Sequence, residues 1–263
     1  MKKDIQNRTA LVTGASSGLG VDFARELAKE GANLILVARR EDRLRVVAAE
    51  ITQEFGVAVD VIPMDLAEVG APQVLYDRLK AKNKAVDVLV NNAGFGLHGK
   101  FNDLSWEKQR QMLDLDIIAL THLTKLFVPD MVARKFGAVL QVASIAAYQP
   151  APTYASYAGA KSYVLFFSEA LDHELRGTGV NVTTVSPGVT ATEFLKVAGQ
   201  QPTLYQRLVM MQSPEVARQG IRALLRQRRS VVPGFFNAFS AFLMRFIPRR
   251  MMTVLSNAMM SID

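Results

Sequence analysis

Tyr157 and Lys161 stand four residues apart in a segment with helical spacing, 153–176, so both project from one face. A phenol titrates near pH ~10 and carries protons poorly at neutrality, but a neighbouring ammonium stabilises its anion. A place near the amino end of a helix helps in the same direction. The pair suits proton exchange with an alcohol or carbonyl oxygen. Spacing alone is weak, because Tyr76 and Lys80 have it too, in a polar helix with no strand-end serine before it. There we read a solvated helix face. Tyr154 has Ala158 four residues on and lacks the cation.

A second group of residues suits phosphate. An apolar run ends in Thr13-Gly14-Ala15-Ser16-Ser17-Gly18-Leu19-Gly20, after which an apolar-periodic helix begins. Glycines at this junction let the backbone turn sharply and approach a pyrophosphate, whose charge is favoured by the helix amino end. The spacing, Gly-x-x-x-Gly-x-Gly, is one residue longer than the common dinucleotide fingerprint.

The elements that must position these groups follow from periodicity. Short runs rich in Val, Ile and Leu occur at 9–13, 33–38, 57–62, 86–90, 138–142, 180–185 and 230–232. Both faces read apolar, as in parallel strands buried between helix layers. Helical spacing fills the gaps at about 18–30, 41–55, 71–82, 105–135, 153–176 and 213–228. The alternation predicts an α/β fold: a doubly wound, parallel, seven-stranded Rossmann-type sheet with helices on both faces. Ligands of such sheets sit beyond the carboxyl ends of the strands. Those ends read Gly14, Arg39, Asp65, Asn91, Ser144 and Ser186-Pro187-Gly188, a continuous small or polar rim.

Composition narrows the class further. The chain has 263 residues, 49% hydrophobic and 21% charged, with no cysteine, which excludes disordered, collagen-like and disulfide-stapled proteins. We expect one domain over 1–263, a core at 1–230 and a helical extension at 231–263. Cysteine-free composition and a polar start without a signal-peptide core fit a cytoplasmic protein. The longest apolar stretch, 231–247, contains Pro233, Asn237 and Arg245 and is too short to span a bilayer of about 30 Å. His98, His122 and His173 are scattered, so no metal site is expected.

The net charge of +7 is local: residues 216–262 hold eight arginines and no Asp or Glu, while residues 1–215 carry 23 basic and 23 acidic side chains. Within that segment Phe235, Phe236, Phe239, Phe242, Leu243 and Phe246 form a stripe at helical spacing. Met251, Met252, Leu255, Met259 and Ile262 repeat it after Pro248. Two amphipathic helices are expected, broken at Pro248. The stripes fit closure of the core or of a subunit interface. They equally fit a lid over a lipid-like substrate with peripheral contact to an anionic membrane. Nucleic-acid binding ranks lowest, because the segment is apolar and lacks polar readers.

Taken together, Thr13-Gly14-x-x-x-Gly18-x-Gly20, Asn91-Asn92-Ala93-Gly94, Tyr157-x-x-x-Lys161 and Pro187-Gly188 resemble the short-chain dehydrogenase/reductase family in order and spacing over residues 8 to about 195. The resemblance implies an oxidoreductase that moves hydride between nicotinamide and a carbonyl or secondary alcohol. Tyr157 would be the general acid/base. Ser144, thirteen residues before it, would orient the substrate oxygen. Lys161 would lower the tyrosine pKa and bind the nicotinamide ribose. Gly14, Ser16, Ser17, Gly18, Leu19 and Gly20 would hold the cofactor phosphates, and Asp65 and Leu66 would line the adenine. Asn92, Ala93 and Gly94 would pass the ribose. Pro187, Gly188 and Val189, with Thr190 and Thr192, would hold the nicotinamide amide. The family also implies a homodimer or homotetramer paired through its central helices.

Two positions qualify this pattern. The second strand ends in Arg39-Arg40, with the first acids, Glu41 and Asp42, only in the next helix. An acid at that strand end selects NAD and an arginine suits a 2′-phosphate, so NADP(H) is expected over NAD(H). The family's asparagine, which helps hold a water relay to the lysine, is replaced by Asp116. Either Asp116 serves the relay with altered pH dependence or proton delivery is impaired; a solvent-facing or bend-capping Asp116 is the bland alternative. An impaired relay would make the chain a catalytically weak NADP(H) sensor or scaffold.

Overall fold

The structure, a computed structural model, describes residues 2–201 and 203–260. The β-branched runs form strands β1 (Thr9–Thr13), β2 (Asn33–Ala38), β3 (Val59–Pro63), β4 (Val88–Asn91), β5 (Gly137–Val142) and β6 (Val180–Val185). Between them lie α1 (Leu19–Lys29), α2 (Glu41–Phe55), α3 (Ala71–Ala81), α4 (Trp106–Leu113), α5 (Leu120–Ala133) and α6 (Ala155–Glu174). The chain continues through β7 (Thr190–Ala191), α7 (Phe194–Ala198), α8 (Leu204–Val209), β8 (Met211–Gln212), α9 (Ser213–Leu225) and β9 (Ser230–Val231). It ends with α10 (Phe235–Leu243) and α11 (Arg249–Met260).

The main sheet is seven-stranded in the order β3-β2-β1-β4-β5-β6-β9, and every pairing in it is parallel. The order reverses direction between β1 and β4, which opens a crevice at their carboxyl ends. Each residue of β5 and β6 is buried, because both faces are covered. Phe23, Leu27, Leu44, Ile51 and Ile221 pack one face from α1, α2 and α9. Leu75, Leu79, Leu123, Phe127 and Met131 pack the other from α3 and α5. Tyr76 and Lys80 are less free than the sequence suggested: both bond to Asp130, at 2.9 and 3.2 Å, and tie α3 to α5.

Two departures shape the site. The single helix expected at 105–135 is broken by a π-helical turn, Asp114–Ala119, between α4 and α5. A π turn carries an extra residue and rotates the face that follows, a device frequent at functional sites. Here it turns Asp116 fully inside while Ile118 faces out. The second departure is at 190–212, where the sequence shows no clear period. Here β7 and β8 pair as a separate two-stranded ribbon, and α7 crosses the rim. Among the described residues no helix is long and apolar enough to cross a membrane. Ile262, the last member of the second apolar stripe, lies outside the described residues.

Candidate active site

The glycine loop is knitted to the end of β4. Thr13 Oγ1 accepts from Asn92 N and Ala93 N at 3.0 and 2.9 Å, and Asn92 Nδ2 donates to Thr13 O at 2.9 Å. A Cβ on Gly20 would lie 2.2 Å from Gly14 O, so the first turn of α1 can sit this close only with glycine there. Gly14 itself takes φ 67°, the left-handed region. Asn91 turns the other way, away from the rim. It joins Gln141 and Thr124 in a buried polar set that fastens β4, β5 and α5.

At the end of β2 the two arginines separate. Arg39 Nη1 lies 3.5 Å from Asp65 Oδ2, and its side chain is mostly exposed. Arg40 turns over the glycine loop, where its guanidinium donates to Ser17 Oγ at 2.7 Å and to Ser16 Oγ at 3.3 Å. Its third partner is Glu193 Oε2 at 3.3 Å. The residues around Glu193 are also packed down. Thr192 Cγ2 would meet a Cβ on Gly18 at 3.1 Å, and the Phe194 ring lies 5.4 Å from the Tyr157 ring. Sequence reading missed Glu193 and Phe194. Their only signal was a place just after the threonines expected at the nicotinamide.

Ser144, Tyr157 and Lys161 meet at the ends of β5 and α6. Tyr157 lies in the first turns of α6 and is buried against Tyr154 and Phe194. Tyr154 is committed elsewhere, donating to Gln200 Oε1 at 2.7 Å. Ser144 Oγ accepts from Ala146 N at 3.1 Å and stands close enough to the Tyr157 phenol to favour its anion. Lys161 Nζ lies 5.7 Å from the Tyr157 ring centre and donates to Val142 O at 3.1 Å.

Asp116 completes this group. Its Oδ2 pairs with Lys161 Nζ at 2.9 Å, with both side chains almost wholly buried. Its Oδ1 accepts from Phe95 N at 3.1 Å. Gly94 passes so close that a Cβ there would sit 2.8 Å from the same oxygen. Asp116 thus braces the 91–95 turn against the lysine, which removes the solvent-facing reading. Burial pushes its carboxyl up, against the pull of Lys161. Desolvation would lower the Lys161 ammonium, but Asp116 and the Tyr157 phenol outweigh it and hold it above its ordinary value. Tyr157 departs from expectation. Burial pushes its phenol up, Asp116 adds to this, and the downward pulls of Lys161 and Ser144 are outweighed. Burial is the larger cause, and the carboxylate offsets only part of the lysine's pull.

A cavity of about 650 Å³ lies away from this rim, beside Asp172, Arg176, Asn181 and Arg229, and has none of these groups.

The sequence model of the short chain dehydrogenase family matches residues 8–203. The chain belongs to that family. Members are oxidoreductases acting on alcohol and ketone groups with NAD(P). Over 195 residues the chain is 34% identical to a very-long-chain 3-oxoacyl-CoA reductase of Anas platyrhynchos, covering 72% of this chain and 62% of that one. It is 35% identical to the human inactive hydroxysteroid dehydrogenase-like protein 1, over 71% of this chain and 57% of that one. The match to either relative thus spans about three fifths of its length. A short-chain dehydrogenase from Sphingobium yanoikuyae, solved with NADPH, superposes with a TM-score of 0.81 at 30% identity, over 92% of this chain and 97% of that one.

The residues present fit a nicotinamide dinucleotide. The glycines of the loop from Gly14 to Gly20 let its backbone pack tightly on Asn92, Ala93 and Thr192, and the Ser16 and Ser17 hydroxyls with the Arg40 guanidinium stand beside it as donors for phosphate.

Proposed function

We propose that this dehydrogenase uses NADP(H) and acts on a carbonyl or secondary alcohol carried by an apolar, lipid-like substrate. The observation that carries the cofactor half is Arg40, held by Ser16 and Ser17 at the edge of the glycine loop, with Arg39 beside it and no acid on the strand end. The lipid half is supported by the exposed apolar helices beside the rim and by a relative named for very-long-chain substrates. Turnover of a ketone, steroid and acyl-thioester panel with both reduced cofactors tests the whole reading.

Gly14, Ser16, Ser17, Gly18, Leu19 and Gly20 cradle the phosphates, while Asp65 and Leu66 flank the adenine. Asn92, Ala93 and Gly94 floor the ribose, and Pro187, Gly188, Val189, Thr190 and Thr192 hold the amide. The bound nicotinamide supplies or accepts the hydride. Tyr157 gives its phenolic proton to the carbonyl oxygen, which Ser144 orients. Lys161 holds the nicotinamide ribose and favours the phenolate that is left. Asp116 positions Lys161.

A contact between arginine and a 2′-phosphate is worth about 1.5–3 kcal/mol, roughly 10- to 150-fold in affinity. Arg40→Gln should weaken NADPH binding by that factor and leave NADH binding nearly unchanged, as read by fluorescence titration. Equal losses for both cofactors would remove the assignment.

A second reading, a cofactor binder of low activity, is favoured by Asp116, whose charge opposes formation of the phenolate. Asp116→Asn decides between the two. It removes a negative charge and so lowers the phenol pKa. Alcohol oxidation needs the phenolate, so its rising limb should move to lower pH. Carbonyl reduction needs the phenol, so its alkaline fall should also move to lower pH. If parent and variant are inactive on every carbonyl tested while both bind NADPH, the second reading stands.

A further inference from the structure

The two terminal helices are inside out for a surface that faces water. On α10 the buried side chains are Asn237 and Ala241, and on α11 they are Met252 and Ser256. The aromatic residues of α10 and of the turn after it point away from the protein: Phe235 and Phe236 are 78% and 77% exposed, Phe246 is 70% exposed, and Phe239 and Phe242 are each half exposed, while on α11 Met251 and Val254 are exposed as well. A helix at a water boundary does the reverse, burying its apolar stripe on the core. This orientation is held by specific contacts. Asn237 Nδ2 donates to Pro233 O at 3.1 Å and lies against Gly188. Ser256 Oγ donates to Pro150 O at 2.6 Å. The helices are therefore pinned beside the rim, next to the turn that follows Ser144, with their aromatic face outward. So large a contiguous apolar surface marks a docking site.

Charge selects the occupant. Arg245, Arg249 and Arg250 follow the aromatic stripe, and residues 216–262 hold no Asp or Glu. A second copy meeting this face about a twofold axis would bring the same arginines together, with no acid in the segment to answer them. An anionic lipid surface answers them, and it takes aromatic side chains into its headgroup boundary.

We propose that α10 and α11 dock the protein on an anionic membrane surface, with the mouth of the site beside the lipid. Entry of substrate from that lipid rests on the apolar-substrate reading above; the docking itself does not.

Co-sedimentation of the full chain with phosphatidylcholine vesicles, with and without phosphatidylserine, tests the docking without any turnover. Binding should be stronger on the anionic vesicles and should weaken as salt is raised. Each arginine near the surface contributes about 1 kcal/mol, roughly fivefold. Converting Arg245, Arg249 and Arg250 together to Gln should therefore lower partitioning by about two orders of magnitude. Phe236→Ser with Phe239→Ser should abolish binding while NADPH titration stays unchanged. Undiminished vesicle binding by that variant would overturn the proposal. So would a folded, NADPH-binding parent that ignores anionic vesicles. Sedimentation velocity supplies the third overturning result: an oligomer of the parent that the Phe variant converts to monomer, placing a second copy on this face.

Discussion

Tyr157→Phe should give a folded protein that binds cofactor as the parent does and reduces carbonyls about 10²- to 10⁴-fold more slowly, the usual share of a positioned general acid. The ring is what packs against Tyr154 and Phe194, and phenylalanine keeps it. What is lost is one hydroxyl, the group assigned to the proton. The neighbouring groups are already engaged: Tyr154 with Gln200, and Lys161 with Asp116 and Val142. Steady-state kcat beside an NADPH titration checks both halves. Reduction retained within a few-fold would show that another group delivers the proton.

Lys161→Met should cost more stability than any surface change, about 3–5 kcal/mol, because it strands a buried carboxylate. In a chain of this size that lowers the melting temperature by roughly 6–20 °C. The deficit should depend on pH, and the sign is fixed. With the ammonium gone, burial alone holds the Asp116 pKa above its unfolded value. The native state then binds the proton more tightly and is favoured below the unfolded pKa, and that advantage is lost as pH rises through the folded pKa. The variant should be least stable at alkaline pH. Adding Asp116→Asn should restore most of the loss, because the amide oxygen still accepts from Phe95 N without a charge. Urea melts of parent, single and double variants across pH measure this. No recovery in the double variant would mean that the lysine's packing matters more than its charge.

The strands and the motif positions were legible because parallel strands buried on both faces leave a blunt apolar signal, and because the rim residues interrupt it at each carboxyl end. Asp116 was legible as a departure from a family pattern that brings a carboxylate near Lys161 and Tyr157, but its full burial and its bond from Phe95 N were not. A continuous helical period runs through 105–135, and the π turn that aims the carboxylate at Lys161 leaves no trace in that period. The expected fall in the Tyr157 pKa failed because it weighed the lysine without the burial of the phenol itself. The aromatic stripes of α10 and α11 were legible as stripes. Which side faces outward was not, because spacing fixes a face and says nothing of what it meets. Glu193 lies in a stretch without periodicity, where only the folded chain brings position 193 to position 40.

That last contact is one that an arriving 2′-phosphate must break. Arg40 and Glu193 are each about half exposed, and a pair so placed contributes only about 0–1 kcal/mol. A phosphate dianion on the same guanidinium displaces the carboxylate readily. Under the cofactor assignment proposed above, an arriving NADPH competes with Glu193 for Arg40, whereas NADH does not. Because coupling between two sites is reciprocal, whatever draws Glu193 off Arg40 must also favour NADPH, by no more than about 1 kcal/mol.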